Sequence, residues 1–331
     1  MLEKTAKGGK LKDQASGPFL FCSDQRDKVA ILLATFNGEH YLAEQLESLA
    51  RQTHQNWVVY ASDDGSTDET LQILHRYQKH WGNKRLQIFE GPRKGFSANF
   101  LSLIRRQEVE AQYFAFCDQD DIWVPEKLSQ ALDWMMAIPA STPTLYCSRT
   151  RLIDESGALL GFSSKFIAPL TFRNALVQSI AGGNTMVFNE ATQRLLSITK
   201  ESSNIVSHDW WTYILVTGCG GQVRYDPEPR VDYRQHTNNL MGSNASIRDR
   251  WIRLRKLFAG TFREWNAANL AAIAPIRSRL TPECQETLLR FEQARDASLF
   301  KRLWLIRRAR LYRQTFQGNV GLLLATLLRR L

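Results

Sequence analysis

Four apolar runs, each closing on polar residues and each followed by a stretch of helical spacing, fill the first part of the chain. They are "VAILLATF" (Val29–Phe36), "WVVYASDDGS" (Trp57–Ser66), "RLQIFEG" (Arg85–Gly91) and "QYFAFC" (Gln112–Cys117). Runs this continuous predict strands covered on both faces. Between them apolar residues recur one helical turn apart, as at Tyr41, Leu42, Leu46 and Leu49. Ser66 and Glu69 predict a capping box ahead of the second helix, and Pro125 lies near the first turn of the helix after the fourth strand. Strand–helix alternation of this regularity predicts an α/β fold whose parallel sheet is joined by crossover helices. Ligands of such sheets bind beyond the carboxyl ends of the strands. The polar clusters fall at those ends: Thr35 and Asn37, then Asp63 and Asp64, then Asp118, Asp120 and Asp121.

After Pro139 the texture changes. "TLYCSRTRLIDESG" reads as a strand with a turn, and "NALVQSIAGGNTMVFN" as a helix, a glycine-rich loop and a strand. "SHDWWTYILVTG" reads as a helix, and "GQVRYDPEPRVDYRQH" as extended chain bent at its prolines. From Ser246 the chain becomes helical, basic and amphipathic. The expected organisation is therefore a polar disordered extension at residues 1–27, an α/β unit at 28–245 and a basic helical region at 246–331.

Asp118, Asp120 and Asp121 lie within four residues of one another. Adjacent carboxylates repel, so at neutral pH they require a divalent metal, an Arg or Lys, or a shared proton. Hard oxygen donors without thiolates suit Mg²⁺ or Mn²⁺ better than zinc. No GxxxxGK[ST] loop is present and no GxGxxG follows the first strand, which argues against a P-loop nucleotidase and a dinucleotide site. Asp63 and Asp64 are placed to accept hydrogen bonds from a nucleobase or a ribose, while Asp68 favours the following helix N-terminus.

The segment "ILLATFNGEHYLAEQLESLARQTHQNWVVYASDDGSTDET", followed by "FCDQDDIWVPEKL", resembles the family 2 inverting glycosyltransferases of GT-A fold. The resemblance covers Val29 to His236, and "CDQDDIW", "HDWW" and "YRQH" are similar to bacterial rhamnosyltransferase-like members of polysaccharide and O-antigen assembly. It implies a GT-A fold, Rossmann-like with a mostly parallel central sheet and flanking helices, and transfer of a sugar from a nucleotide donor such as dTDP-rhamnose. Thr35, Asn37 and Glu39 would line the nucleotide pocket, with Asp63 on the base and Arg93 and Asn99 beside it. Asp118 would lie near the ribose and Asp120 on a Mg²⁺ or Mn²⁺ ion bridging the diphosphate, helped by Asp121. His236 would be a further metal ligand, with Arg234 a rival contact to the diphosphate. Asp209 matches the position of the general base. Gly183 and Asn184 would shape the acceptor side, with Trp210 and Trp211 stacking on sugar or packing in the core. Many family members carry Glu before the base; here that residue is His208, to which the resemblance gives no role. The QxxRW motif and long spans of processive members are absent, which implies single sugar addition to a saccharide or lipid-linked acceptor. A catalytically idle nucleotide-sugar-binding or scaffold protein of the same fold is the reading that Asp120 and Asp209 argue against.

Charge separates the two ends of the chain. From Arg248 to Leu331 there are 18 Lys or Arg against 6 Asp or Glu, so this region carries +12 of a net +10 and the first 247 residues carry −2. Such asymmetry implies an anionic surface as partner. The stretch from Lys301 to Leu331 mixes Leu, Trp, Phe and Tyr with Arg at helical spacing, and its longest apolar run, Val320 to Leu328, is far short of the roughly 20 residues a span requires. It predicts either a helix lying in an anionic inner membrane interface or a helical subdomain packed on the catalytic unit. No nucleic-acid motif accompanies the charge. Five scattered cysteines without a CxxC pair, and no secretory leader, predict free thiols and a cytoplasmic location, peripheral at the membrane if the last helix binds it.

Overall fold

The computed structural model describes residues 27–200, 205–236 and 261–331. The polar extension, all but Asp27, and the expected boundary at 245 lie outside the described residues.

The four apolar runs form β1 (Val29–Thr35), β2 (Trp57–Asp63), β3 (Leu86–Glu90) and β4 (Tyr113–Cys117). They lie parallel in the order β3-β2-β1-β4. Crossovers are α1 (Leu42–Ala50), α2 (Thr70–Trp81) and α3 (Phe96–Arg105). Alternate residues of β1 enter opposite cores, which is why the run is apolar at every position. Val29, Ile31 and Leu33 join α1 and α2, whereas Ala30 and Leu32 join α3 on the other face.

Beyond β4 come β5 (Ile122–Trp123), α4 (Lys127–Met135), β6 (Thr144–Ile153) and β7 (Leu159–Phe162). The chain continues through α5 (Phe172–Ala175), β8 (Val187–Asn189), α6 (Glu190–Ser197), α7 (His208–Gly218) and β9 (Gln222–Arg234). The sheet continues β4-β8-β6-β9-β5, and here antiparallel pairs enter: β8 runs against both β4 and β6, and β5 against β9. The parallel part is thus confined to the first four strands and the β6–β9 pair.

Register sets the positions of the polar ends. Thr35 pairs with Asp63, so β1 and β2 end together, while β4 stops at Cys117 beside Leu33. Asp118 to Asp121 therefore emerge alongside the last residues of β1.

Two local expectations are corrected. Ser66 and Glu69 do not form a capping box, because Asp63 binds the amide of Ser66 at 2.8 Å and its hydroxyl at 2.5 Å. Asp68 takes over at the helix start, accepting from the amide and hydroxyl of Thr70. The helix expected from "NALVQ" shrinks to the four residues of α5, after which the chain reaches a 3₁₀ turn at Gly183–Thr185.

The C-terminal helices, α8 (Thr261–Ile273), α9 (Pro282–Asp296), α10 (Leu299–Ala309) and α11 (Phe316–Leu327), pack on the α3–α7 face. Ile273, Phe291, Leu322 and Ala325 share a core with Phe172 and Trp211. The Tyr312 hydroxyl donates to the Pro169 carbonyl at 2.6 Å, and Gln314 donates to Asn174 at 3.2 Å.

Candidate active site

Three strand ends are laced together before any ligand is considered. The Thr35 hydroxyl donates to Asp63 Oδ1 at 3.0 Å, and Asp63 Oδ2 accepts from the amides of Gly65 and Ser66. With Ser66 Oγ as well, protein donors surround this buried carboxylate. Asp63 is thus a brace for the β2–α2 turn. Its neighbour Asp64 binds the amides of Arg93 at 2.6 Å and Gly95 at 2.7 Å, which fixes the β3–α3 loop and holds the exposed Arg93 at the rim over Gly65.

Asn37 sits at φ +48°, a left-handed conformation that Asn tolerates better than most residues. Its Oδ1 accepts from the Thr67 amide at 2.9 Å. Glu39 accepts from the Glu69 amide at 2.9 Å and donates its own amide to Asp68 at 3.0 Å. The β1–α1 and β2–α2 loops are therefore one hydrogen-bonded unit. Asn99 is buried behind it, its side chain donating to the Ser62 carbonyl and accepting from the Ser62 hydroxyl.

Gln119 joins the acidic segment to this unit. Its side-chain amide pairs twice with the backbone of Phe36, both contacts at 2.9 Å. It lies so close over Gly38 that a Cβ there would come within 2.2 Å of Gln119 Oε1. The residue between Asp118 and Asp120 is thus a latch.

The three aspartates have distinct surroundings. Asp120 Oδ2 lies 2.8 Å from His236 Nε2, and the imidazole stacks on Tyr41 with centroids 5.4 Å apart. Asp121 is fully buried, accepting from Asn184 Nδ2 at 2.5 Å and from the Arg234 amide at 3.3 Å. Burial, with Asp120 and Asp118 adding to it, pushes the Asp121 carboxyl well above the usual range. Asp118 is pushed up to about 7 by burial and by the charges of Asp120 and Asp209, against the pull of Lys127. The charge of Asp209, in the first turn of α7, is thus felt at Asp118. Its Oδ1 accepts from the Ser207 hydroxyl and from the Trp210 amide at 2.6 Å, while Oδ2 takes no hydrogen bond from the described residues.

Lys127 is a buried cationic side chain close to the acidic segment. The residue is fully buried at the start of α4, its amine 2.8 Å from the Asn184 carbonyl and 3.0 Å from the centroid of Trp123. Burial pushes it down to about 7, while Cys117, Asp121 and Asp118 pull it back up. It shares the inward face of α4 with Ala131 and Met135, at i, i+4 and i+8. A lysine on an apolar stripe was the available signal in the sequence.

Several expected ligand contacts are turned inward. Arg234, 2% exposed, forms an ion pair with Glu44, donates to the carbonyls of Asp120 and Glu155, and lies over the Tyr41 ring, so its guanidinium clamps the acidic loop. Asn184 donates its side-chain amide to Asp121. Trp210 and Trp211 are core residues whose indole N–H groups donate to the Ala175 carbonyl and Thr199 hydroxyl.

His208 is buried among Phe96, Phe100 and Phe116, and neither ring nitrogen has a hydrogen-bond partner among the described residues. Gly183 makes room for it, since a Cβ there would come within 2.3 Å of His208 Nε2. Burial pushes the imidazole down to about 4, against the pull of Asp209. An unfolded histidine takes its proton near pH 6.5, so the contribution is fully present above that pH and is lost as pH falls toward 4. The expected loss over that window is on the order of 3 kcal/mol. His208→Leu should flatten the fall of Tm between pH 6.5 and 4.5; equal slopes in parent and variant would refute it.

No group of three or more His, Cys, Asp or Glu converges on a metal site among the described residues. Asp120 and His236 form a two-donor set instead. That fits a hard divalent ion which takes its remaining ligands from substrate phosphates and water.

The Glycosyl transferase family 2 model matches residues 30–193. The dTDP-rhamnosyl transferase RfbG of Shigella flexneri is 29% identical over 236 residues, covering 67% of this chain and 78% of that protein. The putative teichuronic acid biosynthesis glycosyltransferase TuaG of Bacillus subtilis is 30% identical over 236 residues, or 69% of this chain and 88% of that protein. Among solved structures, residues 1–349 of S. aureus TarS in complex with UDP-GlcNAc align with a TM-score of 0.50 at 14% identity. That alignment spans 92% of this chain and 88% of the other, and the likeness is one of fold. By sequence and by fold, the chain belongs to glycosyl transferase family 2 and is a glycosyltransferase of GT-A architecture.

Proposed function

We propose that the enzyme moves a sugar from a nucleotide-activated donor to a hydroxyl of a saccharide or lipid-linked acceptor in bacterial surface polysaccharide synthesis. The observation that carries this reading is the acidic segment beyond the carboxyl end of β4, where Asp120 meets His236 at 2.8 Å and the charge of Asp209 acts on the buried Asp118. RfbG makes dTDP-rhamnose the first donor to try, and the name of TuaG points to the same class of product. The free thiols of the described cysteines agree with a cytoplasmic reaction.

Each group has a task in this reading. The loop unit built on Asn37 and Glu39 presents its backbone to the nucleotide, with Asp63 bracing it from behind and Arg93 at the rim. Asp118 faces the ribose. Asp120 and His236 would hold the divalent ion, and the imidazole nitrogen favours Mn²⁺ over the more strictly oxygen-seeking Mg²⁺. When bound, the ion supplies positive charge to the leaving diphosphate. Asp209 Oδ2 accepts the proton of the acceptor hydroxyl as the new C–O bond forms opposite the breaking one, so the anomeric centre inverts. Asp121, Asn184 and Arg234 hold the acidic loop in shape.

The test is a panel of nucleotide sugars, dTDP-rhamnose included, assayed for Mn²⁺-dependent hydrolysis and, by calorimetry, for binding. One donor should respond, and Asp120→Ala should lower its Mn²⁺-dependent turnover by roughly a hundredfold or more. Turnover that survives this substitution refutes the metal assignment.

A further inference from the structure

The last two helices each bury one stripe and leave another to solvent. In α10 the inward positions are Arg302, Leu305 and Ala309; in α11 they are Leu322, Ala325 and Thr326. The Arg302 guanidinium donates to the Thr326 carbonyl at 2.8 Å and binds the two helices together. Outward, α10 presents Phe300 and Trp304 one turn apart, and α11 presents Phe316, Val320, Leu323 and Leu327. Phe300 is 85% exposed, Phe316 84% and Trp304 55%. On a helix of a soluble protein these positions are normally polar. A large apolar patch left to water marks an interaction surface.

The charge around the patch has one sign. Between Ala297 and Leu331 the chain has eight Lys or Arg and no Asp or Glu. Lys301, Arg307, Arg308, Arg310, Arg329 and Arg330 are exposed, and the Arg308 guanidinium stands 5.4 Å from the centroid of the Trp304 ring. A second copy of the chain would bring like charges together. A nucleic acid would meet the arginines but leave the Phe and Leu side chains in water. An anionic bilayer offers both halves of the complement, negative headgroups above an apolar layer.

We propose that the outward faces of α10 and α11 dock the enzyme on an anionic lipid surface, with their apolar side chains inserted at the headgroup boundary and their basic residues on the phosphates. No described helix is long and apolar enough to cross a membrane, and α11 has only 12 residues, so both lie in the plane of the interface. Tyr312 and Gln314 fasten the link between them to the catalytic core, so the surface is already formed before lipid arrives. This surface goes beyond the reading of the active site and does not depend on the donor or the metal.

The test is co-sedimentation of the full chain with vesicles of phosphatidylcholine alone or mixed with phosphatidylglycerol. The parent should partition to the anionic vesicles, less at high salt. The triple variant Phe300→Ser, Phe316→Ser, Leu323→Ser changes only exposed positions and should keep the parent's Tm and donor hydrolysis. Its partition coefficient should fall by roughly tenfold or more. Arg307→Glu with Arg308→Glu should abolish the preference for anionic lipid. Equal partitioning of parent and triple variant overturns the proposal, as does equal binding to neutral and anionic vesicles. A concentration-dependent dimer of the parent that the triple variant dissolves would overturn it too, assigning the surface to a second copy.

Discussion

Asp209→Asn is expected to keep nucleotide-sugar binding and to remove sugar transfer. The reason lies in how its two oxygens are used. Oδ1 is held by the Ser207 hydroxyl and the Trp210 amide, and the asparagine carbonyl can accept both of those bonds. Oδ2, the oxygen proposed to take the acceptor's proton, becomes an amide nitrogen that cannot. Loss of a general base typically costs about 10²–10⁴ in rate, so single-turnover transfer should fall by that factor. Donor affinity, measured by calorimetry, should stay within about twofold, because Asp209 is assigned no donor contact. The substitution also removes one of the charges that raise Asp118, so the Asp118 carboxyl moves down, toward the ionised form, in the variant. Transfer within tenfold of the parent would eliminate Asp209 as the base. Joint loss of binding and transfer would make it a structural residue of the α7 start.

What the sequence disclosed, and what it withheld, follows from the range of the interactions involved. Strand runs and helix periods are local, so β1 to β4 and α7 can be read almost to the residue. The convergence of the three polar ends follows from a parallel sheet, and register confirms it by pairing Thr35 with Asp63. Individual side chains are another matter. Asp63 resembles a free acceptor until the turn at Gly65 and Ser66 folds its own amides onto it. Arg234 resembles a diphosphate ligand until Glu44, 190 residues earlier, is brought against it. No local pattern encodes that meeting. Gln119 lies between two aspartates, yet its bond to Phe36 depends on β1 and β4 being neighbours. The basic C-terminal region shows both sides of the same limit. Its amphipathic spacing could mean packing or lipid, and the structure assigns the inner stripes of α10 and α11 to packing while leaving the outer ones apolar.

Lys127 was legible in principle, and its removal carries the largest expected effect on stability. Lys127→Met keeps the length and the apolar stem of the side chain but deletes the charge. Asp118 then loses the buried cation that draws its carboxyl down, and the Asn184 carbonyl loses its 2.8 Å donor. Leaving the buried Asn184 carbonyl without its donor typically costs about 1–3 kcal/mol, and removal of the positive charge near Asp118 adds to it. For a chain of this size that corresponds to a Tm lower by roughly 2–5 °C. The pairing itself, and not mere loss of packing over Trp123, can be isolated by adding Asp121→Asn. If Lys127 chiefly balances Asp121, the double variant should recover part of the loss and the two substitutions should be non-additive by about 1 kcal/mol or more. Additive losses would mean that Lys127 acts through its stem and its contact with Trp123. A single variant with the parent's Tm would mean that the acidic cluster is neutralised by protons, with Asp118 and Asp121 carrying them before any lysine or metal is needed.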